Sequence, residues 1–345
     1  MYKGYKVVCL TPAGRRRYMK LLAPYILKAI QEKYVDEWQI LVNTTNPDDI
    51  LFFERLRENF NNIKLIPQPD GIIDGNRSIN AFFRYFTDEK TIYIRLDDDV
   101  VWIEDNFFKK FLDFRIENPQ YFLVFPLIIN NAVCTHILQQ ENKILKDGPY
   151  IRALASDKNG WENPLLAEKI HRWFIKSVLN GTYKNLYFDY VPVSLNRVSI
   201  NCIGFLGEHF KLFNGNVVGD EEEDLTVHKP RQLKLVNCIF GGALISHFAF
   251  YTQRSHLDKT NILNEYEKLL LESKNSFIKE TYLIINKLLN IEHSSQANLN
   301  KYINPQKQFI HNNIAYVKKK VGDIKVPWIV LKSLREIKNL YWNKM

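Results

Sequence analysis

Residues 91–104, TIYIRLDDDVVWIE, constrain this chain more than any other stretch. A β-rich apolar run (Ile92, Tyr93, Ile94, Leu96) climbs into three consecutive aspartates, Asp97, Asp98 and Asp99, and Val100, Val101, Trp102 and Ile103 follow at once. Carboxylates between two hydrophobic runs are costly to bury unless a cation sits on them. If the first run is a buried parallel strand, the triplet emerges at its carboxyl edge, where open α/β sheets bind ligands. Alternation would put Asp97 and Asp99 on one side and Asp98 on the other. Two carboxylates on one side suit a hard divalent cation that also holds phosphate oxygens. The plainer alternative is a solvated acidic turn capping a helix that starts near Asp105.

The segments before this stretch alternate between strand and helix. YKVVCL (residues 5–10) reads as a strand ending at the loop signal Thr11-Pro12-Ala13-Gly14, and Arg15, Arg16 and Arg17 open a helical pattern that continues through Pro24. A strand, a glycine-containing loop and a helix start form a place for phosphate, although an arginine run also suits a solvated face. WQILVNTT (38–45) is a second strand, and Asn46 with Pro47 opens a helix to Phe60 as N-cap and first helical residue. A third strand spans 63–67, a loop with two Asp-Gly turns follows, and residues 78–86 read as a helix before the aspartate strand. Four such alternations in about a hundred residues predict a doubly wound, mostly parallel α/β sheet.

Beyond it, residues 105–118 read as an amphipathic helix and YFLVFPLII (121–129) as a buried strand. Residues 142–190 are polar and irregular around one helix at 165–179, and long insertions of this kind usually carry function. Strand pieces resume at 191–198 and 201–205, VVGDEEED (217–224) is a second acidic cluster, and GGALISHFAFYTQR (241–254) reads as a strand with a loop after it. From residue 257 the pattern is helical. Fourteen lysines and Arg335 face eight acids there, so the tail carries most of the chain's net charge of +9. Such a tail suits an anionic surface, membrane or nucleic acid. Trp328, Leu331, Leu334, Ile337 and Tyr341 recur at helical spacing, with Lys332, Arg335 and Lys338 off the stripe and Lys318, Lys319 and Lys320 upstream. That pattern fits an interfacial helix on anionic lipid, or a stripe packed on the domain before it. The four cysteines form no C-x-x-C pair, and no signal-peptide or membrane-spanning run is present. The expectation is a cytoplasmic protein, peripheral at the inner face of the plasma membrane if the tail binds lipid.

An α/β half, an acidic triplet at a strand edge and a later acidic cluster followed by a histidine strand together resemble the GT-A glycosyltransferases, especially inverting family-two-like members. The resemblance covers roughly residues 6–257. LDDDV looks like that family's D-x-D metal motif, GDEEEDLT like its E-D-x-D-L block, and SHFAFYTQR like its closing segment. The resemblance implies a GT-A-like catalytic domain over 1–257, with a nucleotide-sugar half to about 130 and an acceptor half over 131–257. Residues 258–345 would form a basic helical region. It implies Mn²⁺ or Mg²⁺ on Asp97, Asp99 and His247, with imidazole tilting the choice to Mn²⁺. A lone histidine between Ser246 and Phe248 equally reads as a satisfied core residue. Thr11, Pro12, Ala13, Arg15, Asn43, Thr44, Asp74, Asn76, Arg77, Arg95, Asp97, Asp98 and Arg254 would bind the nucleotide sugar, Arg95 alternatively serving as counter-ion to the triplet. Glu222 falls at the catalytic base position, with Glu221 and Asp220 behind it; a solvated helix start is the bland alternative.

The implied activity is metal-dependent transfer of a sugar from a nucleotide donor, a UDP-sugar first among them, to a glycan or lipid-linked hydroxyl in bacterial surface glycan synthesis. A sugar-phosphate nucleotidyltransferase shares the fold but wants a glycine-rich loop with a lysine after the first strand, and TPAGRRRYM has one glycine. A non-catalytic nucleic-acid-binding protein would need aromatics interleaved with lysine or arginine on a recognisable module. None is evident, and no nucleic acid is expected.

Overall fold

The computed structural model describes residues 1–144, 148–194, 196–289 and 299–321. Nine strands form one mixed sheet: β1 Lys6–Ala13, β2 Glu37–Val42, β3 Ile63–Ile66, β4 Thr91–Leu96, β5 Val100–Ile103, β6 Tyr121–Ile129, β7 Tyr190–Val193, β8 Cys202–Leu206 and β9 Val236–His247. Their order is β3-β2-β1-β4-β8-β6-β9-β5, with β7 also paired to β9. β1, β2, β3 and β4 are mutually parallel, and β8 enters antiparallel to both β4 and β6.

The chain winds outward from β1 through β2 to β3, then returns to lay β4 on the other side of β1. This reversal opens a crevice beyond the carboxyl ends of β1 and β4, the switch point where open α/β sheets take ligands. All six residues of β4 are buried, as are seven of the eight in β1, so even Thr91 and Arg95 of β4 are enclosed. The aspartates are not a continuation of the strand. β4 ends at Leu96, and residues 97–99 make a tight turn in which Val100 N–H donates to Asp97 O at 3.2 Å. The chain then leaves as β5, which pairs antiparallel with the end of β9 and sets Val100 opposite His247. A register of strands thus brings His247 to the aspartates across almost 150 residues of sequence.

Several helices differ from expectation at their ends. Residues 75–85 form a tight 3₁₀ run, Gly75–Tyr85, where an α-helix over 78–86 was expected, and residues after His247 turn into the helix Tyr251–Leu257. The helix Arg16–Gln31 retains Pro24 within it. The region after residue 257 joins the same core: Ile262, Tyr266, Leu270, Ile278, Tyr282 and Ile285 are buried in it. The stripe Trp328, Leu331, Leu334, Ile337 and Tyr341 lies outside the described residues. Among the described residues no helix is long and apolar enough to cross a membrane.

Candidate active site

A cavity of about 740 Å³ opens at the switch point, floored by the aspartate turn and walled by the loop after β1, the turn Gly219–Glu222 and the segment after β9. Asp98 and Asp99 are 3% and 1% exposed, so the turn is buried and each carboxylate needs a partner. Asp98 faces the β1 loop: Gly14 N–H donates to its Oδ2 at 3.0 Å, and Arg15 Nε donates to its Oδ1 at 3.0 Å. A Cβ at Gly14 would stand 3.1 Å from Asn43 O, a tight approach between the loops after β1 and β2. Asp99 receives Arg15 Nη1 at 3.0 Å, Arg254 Nη2 at 3.4 Å and His247 Nε2 at 3.4 Å. Asp97 takes Arg95 Nη2 at 3.1 Å and Asn201 Nδ2 at 3.2 Å.

The three arginines 15–17 divide their work. Only Arg15 reaches the cavity, while Arg16 pairs with Asp48 and Asp49 and Arg17 with Asp258. Arg95 lies 3% exposed between Asp97 and Glu221, whose Oε1 is 3.4 Å from its Nε. It pairs with one carboxylate of the triplet and one of the later cluster, and it also lines the cavity.

Ligand atoms of Asp97, Asp99 and His247 all lie within 4.8 Å of one another, a set of two carboxylates and an imidazole that could hold a divalent ion. This donor chemistry fits Mn²⁺ or Mg²⁺. Burial opposes ionisation of Asp99, but Arg15, His247 and Arg254 together overcome it and hold the carboxyl below the ordinary carboxylate range. Burial and the nearby Asp99 charge raise Asp97 instead, against the pull of Arg95. The imidazole is held from behind. Asn130 O stands 3.5 Å from His247 Nδ1, and the Asn130 amide donates to Phe248 O at 2.9 Å and to Gln253 Oε1 at 3.0 Å.

The second acidic cluster separates into different environments. Asp220 caps the short helix Glu221–Glu223, accepting Glu223 N–H at 2.9 Å, and pairs with Arg197. Glu222 meets Arg197 Nε at 2.7 Å, and Asp224 is buried against Val218 N–H at 3.0 Å. Glu221 turns toward the cavity, its side chain 9% exposed and its Oε1 without a hydrogen-bond partner. Burial lifts its carboxyl to about 7 even with Arg95 beside it. Glu222, first by sequence register, is thus tied to a half-exposed arginine, and Glu221 has the environment a base needs.

Of the remaining expected residues, Pro12, Asn43, Asn76, Arg77 and Arg254 line the cavity. Thr11, Ala13, Thr44 and Asp74 do not. Thr11 is buried and accepts the Trp38 indole N–H at 3.0 Å, and Thr44 Oγ1 accepts Asn46 N–H. Ala13 is fully buried, and Asp74 stands behind the rim beside His311. The sequence reading missed Arg197, Asn201, Trp161 and Tyr251, all cavity-lining. Trp161 and Tyr251 meet edge to face at 5.1 Å, and Tyr251 is 68% exposed. Trp161 is half-buried, and the pair's only sequence hint is this tryptophan in the long polar insertion.

No family model matches the sequence, and no curated protein does. Among solved structures, the chain is similar to S. aureus TarS residues 1–349 at 10% identity, covering 81% of this chain and 71% of that one, with a TM-score of 0.41. A mycobacterial protein gives 12% identity, 78% and 74% coverage and a TM-score of 0.41. The 4-diphosphocytidyl-2C-methyl-D-erythritol synthase of Anaerococcus prevotii gives 9% identity, 77% and 97% coverage and a TM-score of 0.39.

Proposed function

We propose that this chain is a metal-dependent transferase that moves a sugar from a nucleoside-diphosphate donor, a UDP-sugar first among the candidates, to an acceptor hydroxyl with inversion. The supporting observation is the pairing, in one cavity, of a buried Asp-Asp-His set with a separate buried carboxylate, Glu221, held off it by Arg95. Asp97, Asp99 and His247 would hold Mn²⁺ or Mg²⁺, which when bound neutralises charge on a leaving diphosphate. Arg254 and Arg15, already at the same carboxylate, add fixed positive charge where the phosphates would lie. Glu221 takes the proton of the acceptor hydroxyl as the new bond forms, a role that needs an ionisable group standing apart from the metal ligands. Trp161 and Tyr251 offer the acceptor an aromatic face at the cavity wall. We extend the proposal to a glycan or lipid-linked acceptor in bacterial surface glycan synthesis.

The runner-up, nucleotidyl transfer, places a backbone cradle of N–H groups after β1. Here Gly14 N–H is already given to Asp98, which favours sugar transfer. A panel of nucleotide sugars with Mn²⁺ or Mg²⁺ tests the reading: release of nucleoside diphosphate supports it. Pyrophosphate release from a nucleoside triphosphate and a sugar phosphate would replace it with the runner-up. Stabilisation by UDP, GDP or CMP only when Mn²⁺ is present, read by thermal shift, is the faster preliminary measurement.

A further inference from the structure

The rim of the cavity at Gly75, Asn76 and Arg77 is braced from outside by the part of the chain that sequence set apart from the catalytic half. Residues 67–74 join β3 to the 3₁₀ run Gly75–Tyr85, and the segment from Leu299 onward returns to bind them. Gln68 N–H donates to Tyr302 O at 3.2 Å, and Asn304 N–H donates to Gly71 O at 2.9 Å. Gly71 has φ +72°, and a Cβ there would meet Asn304 Cβ at 2.8 Å, so the approach requires glycine on two counts. Gln308, at the start of the helix Pro305–Val321, takes both backbone groups of Ile73: Ile73 N–H donates to its Oε1 at 2.7 Å, and its Nε2 donates to Ile73 O at 3.0 Å. Gln308 is 7% exposed.

From Ile73 the contacts continue to the cavity. Asp74 N–H donates to Ser78 Oγ at 3.0 Å, the Ser78 hydroxyl donates to Asn43 Oδ1 at 2.8 Å, and Asn43 Nδ2 donates to Gly75 O at 2.8 Å. Asn43, Gly75, Asn76 and Arg77 all line the cavity. Asn76 and Arg77 are exposed, and their side chains make no hydrogen bond or ion pair among the described residues. A guanidinium and an amide without partners, on a rim whose backbone is fixed from behind, are available to a phosphate.

We propose that Gln308 is a positioning residue: it fixes the backbone at Ile73 so that Asn76 and Arg77 meet the phosphates of a nucleoside diphosphate already ordered. The inference rests on the nucleotide-sugar reading. Ordering the rim before the ligand arrives removes an entropic cost that binding would otherwise carry. Severing Gln308 strands two backbone groups and frees the rim to sample other conformations.

Calorimetric titration of UDP, GDP and CDP, each with Mn²⁺, into the full chain and into Gln308→Ala tests this, with Mn²⁺ titrated alone alongside. The expected result is roughly tenfold weaker nucleotide binding in Gln308→Ala, the cost of ordering the rim at the moment of binding. Mn²⁺ binding stays within about twofold, because no metal ligand lies on the braced loop. Hydrogen exchange at the Ile73 amide accelerates. Gln308→Glu keeps the acceptor for Ile73 N–H and loses the donor, so it falls between. Gly71→Ala, which drives Asn304 away, weakens the nucleotide by a second route if Gln308→Ala does not fold. Unchanged nucleotide affinity with a faster-exchanging Ile73 overturns the inference, as does a parallel loss of nucleotide and Mn²⁺ binding, which marks a merely structural role. A wild-type chain that binds none of the three nucleotides overturns the nucleotide reading itself, and the inference with it.

Discussion

Residues 97–99 and residues 220–224 are both acidic runs that follow apolar residues, and they end under opposite conditions. The first lies at the sheet's switch point, where strand order buries it, and every carboxylate there has acquired its own cation or amide: Arg15 on Asp98 and Asp99, Arg95 and Asn201 on Asp97. The second begins a surface helical turn, and three of its five acids share the half-exposed Arg197. One member of the second run, Glu221, crosses into the buried environment of the first by way of Arg95. Acid density therefore says little about function. The distinguishing quantity is desolvation: the arginines around Asp99 hold its carboxyl low despite burial, whereas burial lifts the incompletely paired Glu221 to about 7.

Asp99→Ala strikes the first run hardest and carries the largest expected effect. Transfer should fall by at least a thousandfold, and nucleotide binding should lose its dependence on Mn²⁺, because the metal set would be left with one carboxylate and an imidazole. Near-normal, metal-independent turnover in this variant would remove the site assignment.

The second contrast is inside the glutamate run. Glu221→Gln should lower turnover by about a hundredfold to ten-thousandfold with donor affinity kept, the range for loss of a general base. Glu222→Gln should cost far less, since it loosens one surface pair. The reverse order in steady-state kinetics would return the base to Glu222, where sequence register places it.

The pH profile sharpens the same contrast with a smaller effect. Burial raises the Glu221 carboxyl to about 7, and the base works only when ionised. Turnover efficiency should rise tenfold per pH unit below that point and level off above it. A profile flat from pH 6 to 8 would exclude Glu221 as base.

Arg197→Ala tests the surface character of the second run and has the smallest expected effect. Pairs with groups this exposed are worth about 0–1 kcal/mol each, so melting should shift by only a few degrees. A collapse in stability on the scale of about 3–5 kcal/mol would show that the run is buried in effect, like the first.

Much of this was legible in advance. The strands β1, β2, β4 and β6 announce themselves as apolar β-rich runs, and Asn46-Pro47 marks its helix start, where Asn46 accepts Asp48 N–H as N-cap. The aspartate triplet could be placed at a strand edge because a strand buried on both faces holds a charge only where a partner meets it, as at Arg95, and three adjacent carboxylates are too costly to enclose that way. His247 could be named only through a family resemblance, since its neighbours Ser246 and Phe248 say nothing of metal. Asn201 and Arg197 had no local signature at all. They reach the cavity because β8 runs antiparallel to β4, so the residues before it arrive beside Asp97, whose N–H donates to Asn201 O at 2.9 Å.

The sequence by itself determined which segments form strands, that a carboxylate triplet must emerge at the end of one of them, and that a cation has to meet it there. These follow from hydrophobic periodicity and the cost of burying charge, both local properties. Tertiary structure decided which cation meets which carboxylate, that Glu221 rather than Glu222 is the buried glutamate, that Thr11 serves Trp38 instead of the cavity, and that Gln308 braces its rim. Each of these depends on strand order and on contacts between residues 25 to more than 200 positions apart, and side-chain desolvation is set by those contacts alone.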